Sequence, residues 1–208
     1  MTDAPPAPPG PAPLRRVLIL AASFGGPASL RAICAGIRIP PDCGGLILQH
    51  IEPAFAETLA EGLSRPGGPA VRVAADGDRI PPGGLLLAPG GSDLSFRTDG
   101  RVSLRPPAPG RPAPGIDLAL SSAAERFGRR VVAALLSGMD VEDGLSGITA
   151  VREAGGTTLA EGEQTAKSFG MARAAAAAGQ IDVVAPLADL PRRIAEALEG
   201  GRLGREER

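Results

Sequence analysis

The sequence predicts an α/β fold: a doubly wound, mostly parallel sheet with helices on both faces and a local antiparallel β-hairpin. Three observations carry that reading. Continuously apolar runs at 16–21, 46–49 and 131–136 alternate with segments whose apolar residues recur at helical spacing, as buried parallel strands and crossover helices do. Tight-turn residues separate them, and the 29 Gly and 22 Pro supply many such points. The rhythm breaks once, where Leu94-Ser95-Phe96 and Val102-Ser103-Leu104 flank Thr98-Asp99-Gly100, the pattern of a hairpin.

Taken in order, residues 1–14 form a Pro-rich tail expected to be disordered. Residues 15–199 form the domain, and 200–208 a charged C-terminal tail. The first strand, 16–21, stops at Ser23, and Gly25-Gly26-Pro27 opens a helix whose stripe is Leu30, Ile33, Cys34 and Ile37. Pro40-Pro41 ends it. A second strand, 46–49, runs into His50, and Phe55, Leu59 and Leu63 mark the next helix. Short strands at 71–74 and 85–88 precede the hairpin. Residues 105–115 are Pro- and Gly-rich without apolar period, a long loop of the kind that borders sites. Leu120, Ala123, Ala124 and Phe127 restore helical spacing before the strand at 131–136. Leu145, Ile148 and Val151 form a helix, 157–160 a strand, 171–178 an Ala-rich helix and 183–185 a last strand. Asp189 is placed to cap a final helix striped by Leu190, Ile194, Ala197 and Leu198.

Composition narrows the function classes. A formal net charge of −1 offers no electrostatic case for nucleic acid, and 2% aromatic residues offer no stacking platform. No apolar run approaches the about 18 residues of a membrane span, and the N-terminus has no signal-peptide core, so the expected location is cytoplasmic. Two Cys and one His make no metal-binding pattern. No metal or organic cofactor is expected, and the chain is expected to be a monomer.

The chemistry lies at strand ends. In a parallel sheet the C-terminal strand ends share one edge, where ligands bind. Ser23, His50 and the acidic loop 140–143 each follow a buried strand at that edge. Ala21-Ala22-Ser23-Phe24-Gly25 is close to the G-x-S-x-G nucleophile elbow. A hydroxyl, an imidazole and a carboxylate on one rim are the parts of a Ser-His-Asp triad. His50 is the only histidine, so a near-neutral base must be this residue. Each residue also has a structural reading: Ser23 as a helix cap, His50 as a strand-end His, Asp143 as the cap of the Leu145 helix and Asp140 as a solvated turn residue. Amides at the helix start after Ser23 would favour a developing oxyanion. A nucleotide-binding Rossmann unit is disfavoured, because Ser23-Phe24-Gly25-Gly26 lacks the G-x-G-x-x-G spacing.

With these stretches in view the sequence resembles the chemotaxis-receptor protein-glutamate methylesterases, the CheB family. Residues 22–27 match G-A-S-x-G-G-P from its second position. Gln49-His50-Ile51-Glu52-Pro53 matches Q-H-x-x-P, and Ser137-Gly138-Met139 with Asp143-Gly144 matches T-G-M-G-x-D-G. Asp76-Gly77, Ala88-Pro89-Gly90-Gly91, Ile116-Asp117, Gly155-Gly156-Thr157 and Phe169-Gly170-Met171 follow in family order. The resemblance covers about residues 16–198. It implies hydrolysis of glutamate methyl esters, and deamidation of glutamines, on helices of a methyl-accepting chemoreceptor or similar signalling protein. It further implies Ser23 as nucleophile, His50 as general base and Asp143 as orienting carboxylate. Phe24, Gly25 and Met139 would line the oxyanion and substrate site.

The departures are specific. Ala21 replaces the family's first Gly, Phe24 its Thr, and Asp93 the histidine of its APGG-x-H stretch. Phe24 adds bulk and removes a hydroxyl beside the nucleophile. The loop after Met139 is one residue longer than usual, which makes Asp140 the rival third member. Residues 1–14 are too short for the receiver domain that commonly precedes this catalytic domain, so regulation is expected from a partner. The competing expectation is a catalytically degenerate module that keeps the fold and binds a signalling partner without turnover.

Overall fold

The computed structural model describes residues 13–139 and 143–200. Arg16–Ala22 (β1), Cys43–Gln49 (β2), Val71–Val73 (β3), Leu85–Leu87 (β4), Val131–Leu135 (β7), Thr157–Glu161 (β8) and Val183–Ala185 (β9) form one sheet in the order β3-β4-β2-β1-β7-β8-β9. Every pairing in it is parallel. Asp93–Phe96 (β5) and Val102–Arg105 (β6) pair antiparallel as a separate hairpin. The turn between them needs Gly100, whose φ of +82° lies in the left-handed region.

Period-two alternation along β1 divides the core. Val17, Ile19 and Ala21 face one layer, and Leu18, Leu20 and Ala22 the other. The first layer packs against Ile116–Phe127 (α3), Leu145–Glu153 (α4) and Gly170–Ala177 (α5). The second packs against Gly26–Gly36 (α1), Ala56–Leu63 (α2) and Leu190–Glu199 (α6). Small aliphatic side chains fill both layers, with Leu18, Leu20, Ile19, Leu46 and Ile47 fully buried. On the first layer, Phe96 and Phe127 meet edge to face, 4.9 Å between ring centroids.

Several expectations change at element ends. Strand β2 begins at Cys43, three residues earlier than the apolar run suggests, because Gly44 and Gly45 belong to it. An ideal Cβ on Gly45 would fall 2.5 Å from the Leu18 carbonyl oxygen, so the close strand approach demands the glycine. Phe55 lies in a 3-10 turn ahead of α2 and is 56% exposed, so the buried stripe starts at Ala56 and Leu59. Asp189 precedes α6, but its side chain makes no capping hydrogen bond. Of the Pro-rich tail, residues 1–12 lie outside the described residues. Leu14 packs against the core, and its carbonyl accepts from Arg130 Nη1 at 3.1 Å.

The chain passes from β1 to its neighbour β2, on to the edge strand β3 and back to β4 between them, then crosses to β7 on the other side of β1. That reversal is the topological switch point, where adjacent loops leave in opposite directions and open a crevice at the C-terminal edge. The segments after β1, β2 and β7 all emerge there.

Candidate active site

Ser23 leaves the end of β1 in a turn that several bonds hold. Its N–H donates to the Ser137 carbonyl at 2.9 Å, and its carbonyl accepts from Gly26 N–H and from Gln49 Nε2, both at 2.9 Å. Gly25 has a φ of +85°, and a Cβ added there would sit 2.4 Å from Ser137 Oγ. Only glycine fits. The N-cap of α1 is Gly25, without a side-chain cap, so Ser23 does not cap the helix. Its hydroxyl meets His50 Nδ1 at 3.1 Å.

His50 follows β2. Its N–H donates to the Ala22 carbonyl, and the buried Gln49 amide bridges the Ser23 and His50 carbonyls at 2.9 and 3.0 Å. Gln49 thereby sets the two neighbouring backbones against each other. The second imidazole nitrogen, Nε2, lies 3.1 Å from Asp143 Oδ2. The His50 and Asp143 side chains are 11% and 17% exposed. An ionised Asp143 accepts only, so the neutral tautomer carries its proton on Nε2 and leaves Nδ1 free to accept from Ser23. The nitrogen facing the serine is thus Nδ1, where serine proteases present Nε2.

Asp143 does not cap α4. It caps α3 instead: Oδ2 accepts from Ile116 N–H at 2.9 Å and Oδ1 from Asp117 N–H at 2.8 Å. Asp117 returns the favour to α4, where its Oδ1 accepts from Gly144 N–H at 2.9 Å and Gly147 N–H at 2.6 Å. Asp93 takes the preceding amide, Gly115 N–H, at 2.8 Å. Burial is the largest influence on Asp143 and opposes ionisation. The hydrogen bonds from His50, Asp117 and Ile116 together outweigh it, so its carboxyl lies below the ordinary carboxylate range. Asp140 lies outside the described residues.

Beneath the Ser23 turn, the fully buried Glu161 accepts from Ser29 Oγ at 2.8 Å and Ser137 N–H at 3.0 Å. Ser137 in turn donates its hydroxyl to the Phe24 carbonyl at 2.8 Å. Sequence reasoning singled out none of Gln49, Glu161 and Ser137 as supports. A buried polar residue beside an apolar strand was their only signal. Gly138 packs against Ser23, since a Cβ there would come 3.3 Å from Ser23 Cβ. Met139 and Phe24 are 61% and 48% exposed. The N–H groups of Phe24 and Gly25 find no acceptor among the described residues. A cleft of about 380 Å³ flanks the Asp143 end of the array, lined by Asp93, Arg111, Gly115, Asp117 and Leu118.

Among the described residues no group of three or more His, Cys, Asp or Glu side chains is placed to hold a metal ion. Nor is any of their helices long and apolar enough to cross a membrane. What the arrangement can do is move a proton from a serine hydroxyl to an imidazole that a carboxylate orients.

Comparison with known proteins agrees over most of the chain. Residues 18–194 match the family model described as CheB methylesterase. A protein-glutamate methylesterase/protein-glutamine glutaminase of Anaeromyxobacter dehalogenans is 42% identical over 195 residues, covering 90% of this chain and 55% of the relative. One from Pseudomonas aeruginosa is 38% identical over 205 residues, covering 94% and 56%. The chain therefore spans about half the length of these relatives. The crystal structure of the Thermotoga maritima CheB methylesterase catalytic domain superposes with a TM-score of 0.80 at 30% identity, over 87% of this chain and 97% of that one. From the family match and the superposition, this chain belongs to the CheB methylesterase family.

Proposed function

We propose that this chain hydrolyses γ-methyl esters of glutamate on a protein substrate, a chemoreceptor or similar signalling protein, and deamidates glutamine by the same route. Ser23 is the nucleophile, His50 the general base and Asp143 the carboxylate that orients it. The observation carrying this reading is the single imidazole bridging a hydroxyl and a carboxylate, each at 3.1 Å.

His50 Nδ1 takes the Ser23 proton as Oγ attacks the ester carbonyl carbon, and the carbonyl π electrons move onto oxygen. The Phe24 and Gly25 amides, unpartnered at the start of α1, are the donors nearest to hand for that oxyanion. Asp143 stabilises the imidazolium through Nε2–H. Collapse breaks the bond to methoxide, which takes the proton from His50 and leaves as methanol. Water then gives a proton to His50 and attacks the acyl-serine, releasing glutamate and restoring Ser23. For glutamine the leaving group is ammonia. One water is consumed per turnover in either case.

A serine-directed phosphonate tests this directly. Wild-type protein is expected to be labelled at Ser23, and Ser23→Ala and His50→Ala to lose labelling while staying folded. Methanol release from a methylated receptor should fall by about 10⁴-fold in either variant. Folded wild-type protein that resists the probe and releases no methanol would instead be a binding module.

A further inference from the structure

Lys167 belongs to the loop between β8 and α5, and hydrogen bonds clamp that loop onto the nucleophile turn. Ser168 N–H donates to Ser137 Oγ at 3.0 Å, the hydroxyl that also holds the Phe24 carbonyl. Gly138 N–H donates to the Ser168 carbonyl at 2.9 Å. The lysine stem covers Gly25, where a built Cβ would fall 2.7 Å from Lys167 Cβ and 3.3 Å from its Cδ. Its ammonium stands 4.9 Å from the centroid of the Phe24 ring, the side chain next to the nucleophile. Stacking on an aromatic face restrains a lysine that would otherwise sweep through solvent.

The cation is exposed and has no carboxylate partner among the described residues. Arg173, on the neighbouring α5, is paired with Glu163 and stacks on Phe169. That leaves Lys167 a positive charge stacked on the ring next in sequence to Ser23 and unpaired among the described residues. It is open to a charge the substrate brings.

We propose that Lys167 is a specificity-determining residue that pairs with a carboxylate on the substrate segment, close to the ester being hydrolysed. The inference rests on the esterase reading. Its chemical logic is that hydrolysis turns a neutral ester into a carboxylate. A segment carrying more than one ester therefore grows more acidic at each turnover. An apolar rim of Phe24 and Met139 alone would favour such a segment less with every cycle, and a cation on that rim reverses the trend.

Two helical peptides test it, each with one glutamate γ-methyl ester, flanked by Glu in one and by Ala in the other. Methanol release gives kcat and KM at low and high salt. Wild-type protein should show a KM roughly 3- to 5-fold lower for the Glu-flanked peptide, the range of an exposed ion pair. High salt should erase the difference. Lys167→Met, which keeps the stem over Gly25, should remove the preference through KM rather than kcat. Lys167→Arg should retain it, and Lys167→Glu should invert it. Equal KM for both peptides in wild-type protein at low salt, or a preference surviving Lys167→Met, would overturn the assignment while leaving the esterase reading intact. Hydrolysis of neither peptide by folded wild-type protein would bring down both.

Discussion

Replacing Asp143 by Asn removes one charge and one acceptor from a carboxylate that accepts three hydrogen bonds. The amide oxygen has two possible places. Set at Oδ2, it keeps His50 Nε2–H and Ile116 N–H but turns its NH₂ against Asp117 N–H. Set at Oδ1, it keeps Asp117 N–H but presents donors to Ile116 N–H and to His50. The imidazole must then move its proton to Nδ1, and Ser23 loses its base. Either way a buried backbone N–H loses its acceptor, which costs about 1–3 kcal/mol. For a chain of this length a loss of about 2 kcal/mol lowers Tm by roughly 4–8 °C. If the second arrangement prevails, kcat falls by about 10⁴-fold, the penalty of the wrong tautomer in serine proteases. Calorimetry and methanol release measure the two effects separately. A kcat/KM loss under tenfold with an unchanged Tm, or a larger loss in Asp140→Asn than in Asp143→Asn, would refute this reasoning.

Three further outcomes are expected. Gly25→Ala forces a left-handed φ on an L residue and drives its Cβ to 2.4 Å from Ser137 Oγ; a loss of about 2 kcal/mol or more, read by denaturant unfolding, should accompany loss of phosphonate labelling. Asp143 is held below its ordinary range, so its contribution is present above the unfolded-state value near ~3.9 and is lost as pH falls through the lower folded value. Wild-type stability should therefore drop more steeply with acid than that of Asp143→Asn, and parallel curves would contradict it. Burial pushes the Cys34 thiol up to about 12, so it should resist thiol reagents at pH 8 until the protein unfolds.

The sheet was legible where side chains speak for themselves. β1 and β7 read as unbroken apolar runs because both their faces are covered, and the hairpin read from its turn. Where glycine makes the contact the signal vanishes, as at Gly44 and Gly45, whose strand membership shows only in the carbonyls pressed against them. Phe55 misled for the opposite reason: a large apolar side chain at helical spacing stands in solvent. The strand order, which puts β7 beside β1 and so brings the loop at 143 to His50, is a tertiary choice that no local pattern encodes. For the site, strand ends and residue types pointed to Ser23, His50 and Asp143, and the structure brings these side chains into contact. Their supports were illegible because each acts at long sequence range. Glu161 reaches Ser29 across 132 positions, and Asp117 reaches Gly144 across 27.

The crossed aspartates at the starts of α3 and α4 bind two kinds of inheritance into one residue. On the proposed mechanism, losing Ser23 or His50 would silence the chemistry at little expense to the architecture. Losing Asp143 would unfasten a helix as well. In descendants that have abandoned hydrolysis but kept the scaffold, the serine and histidine should therefore drift first, and the aspartate should outlast the reaction it once served.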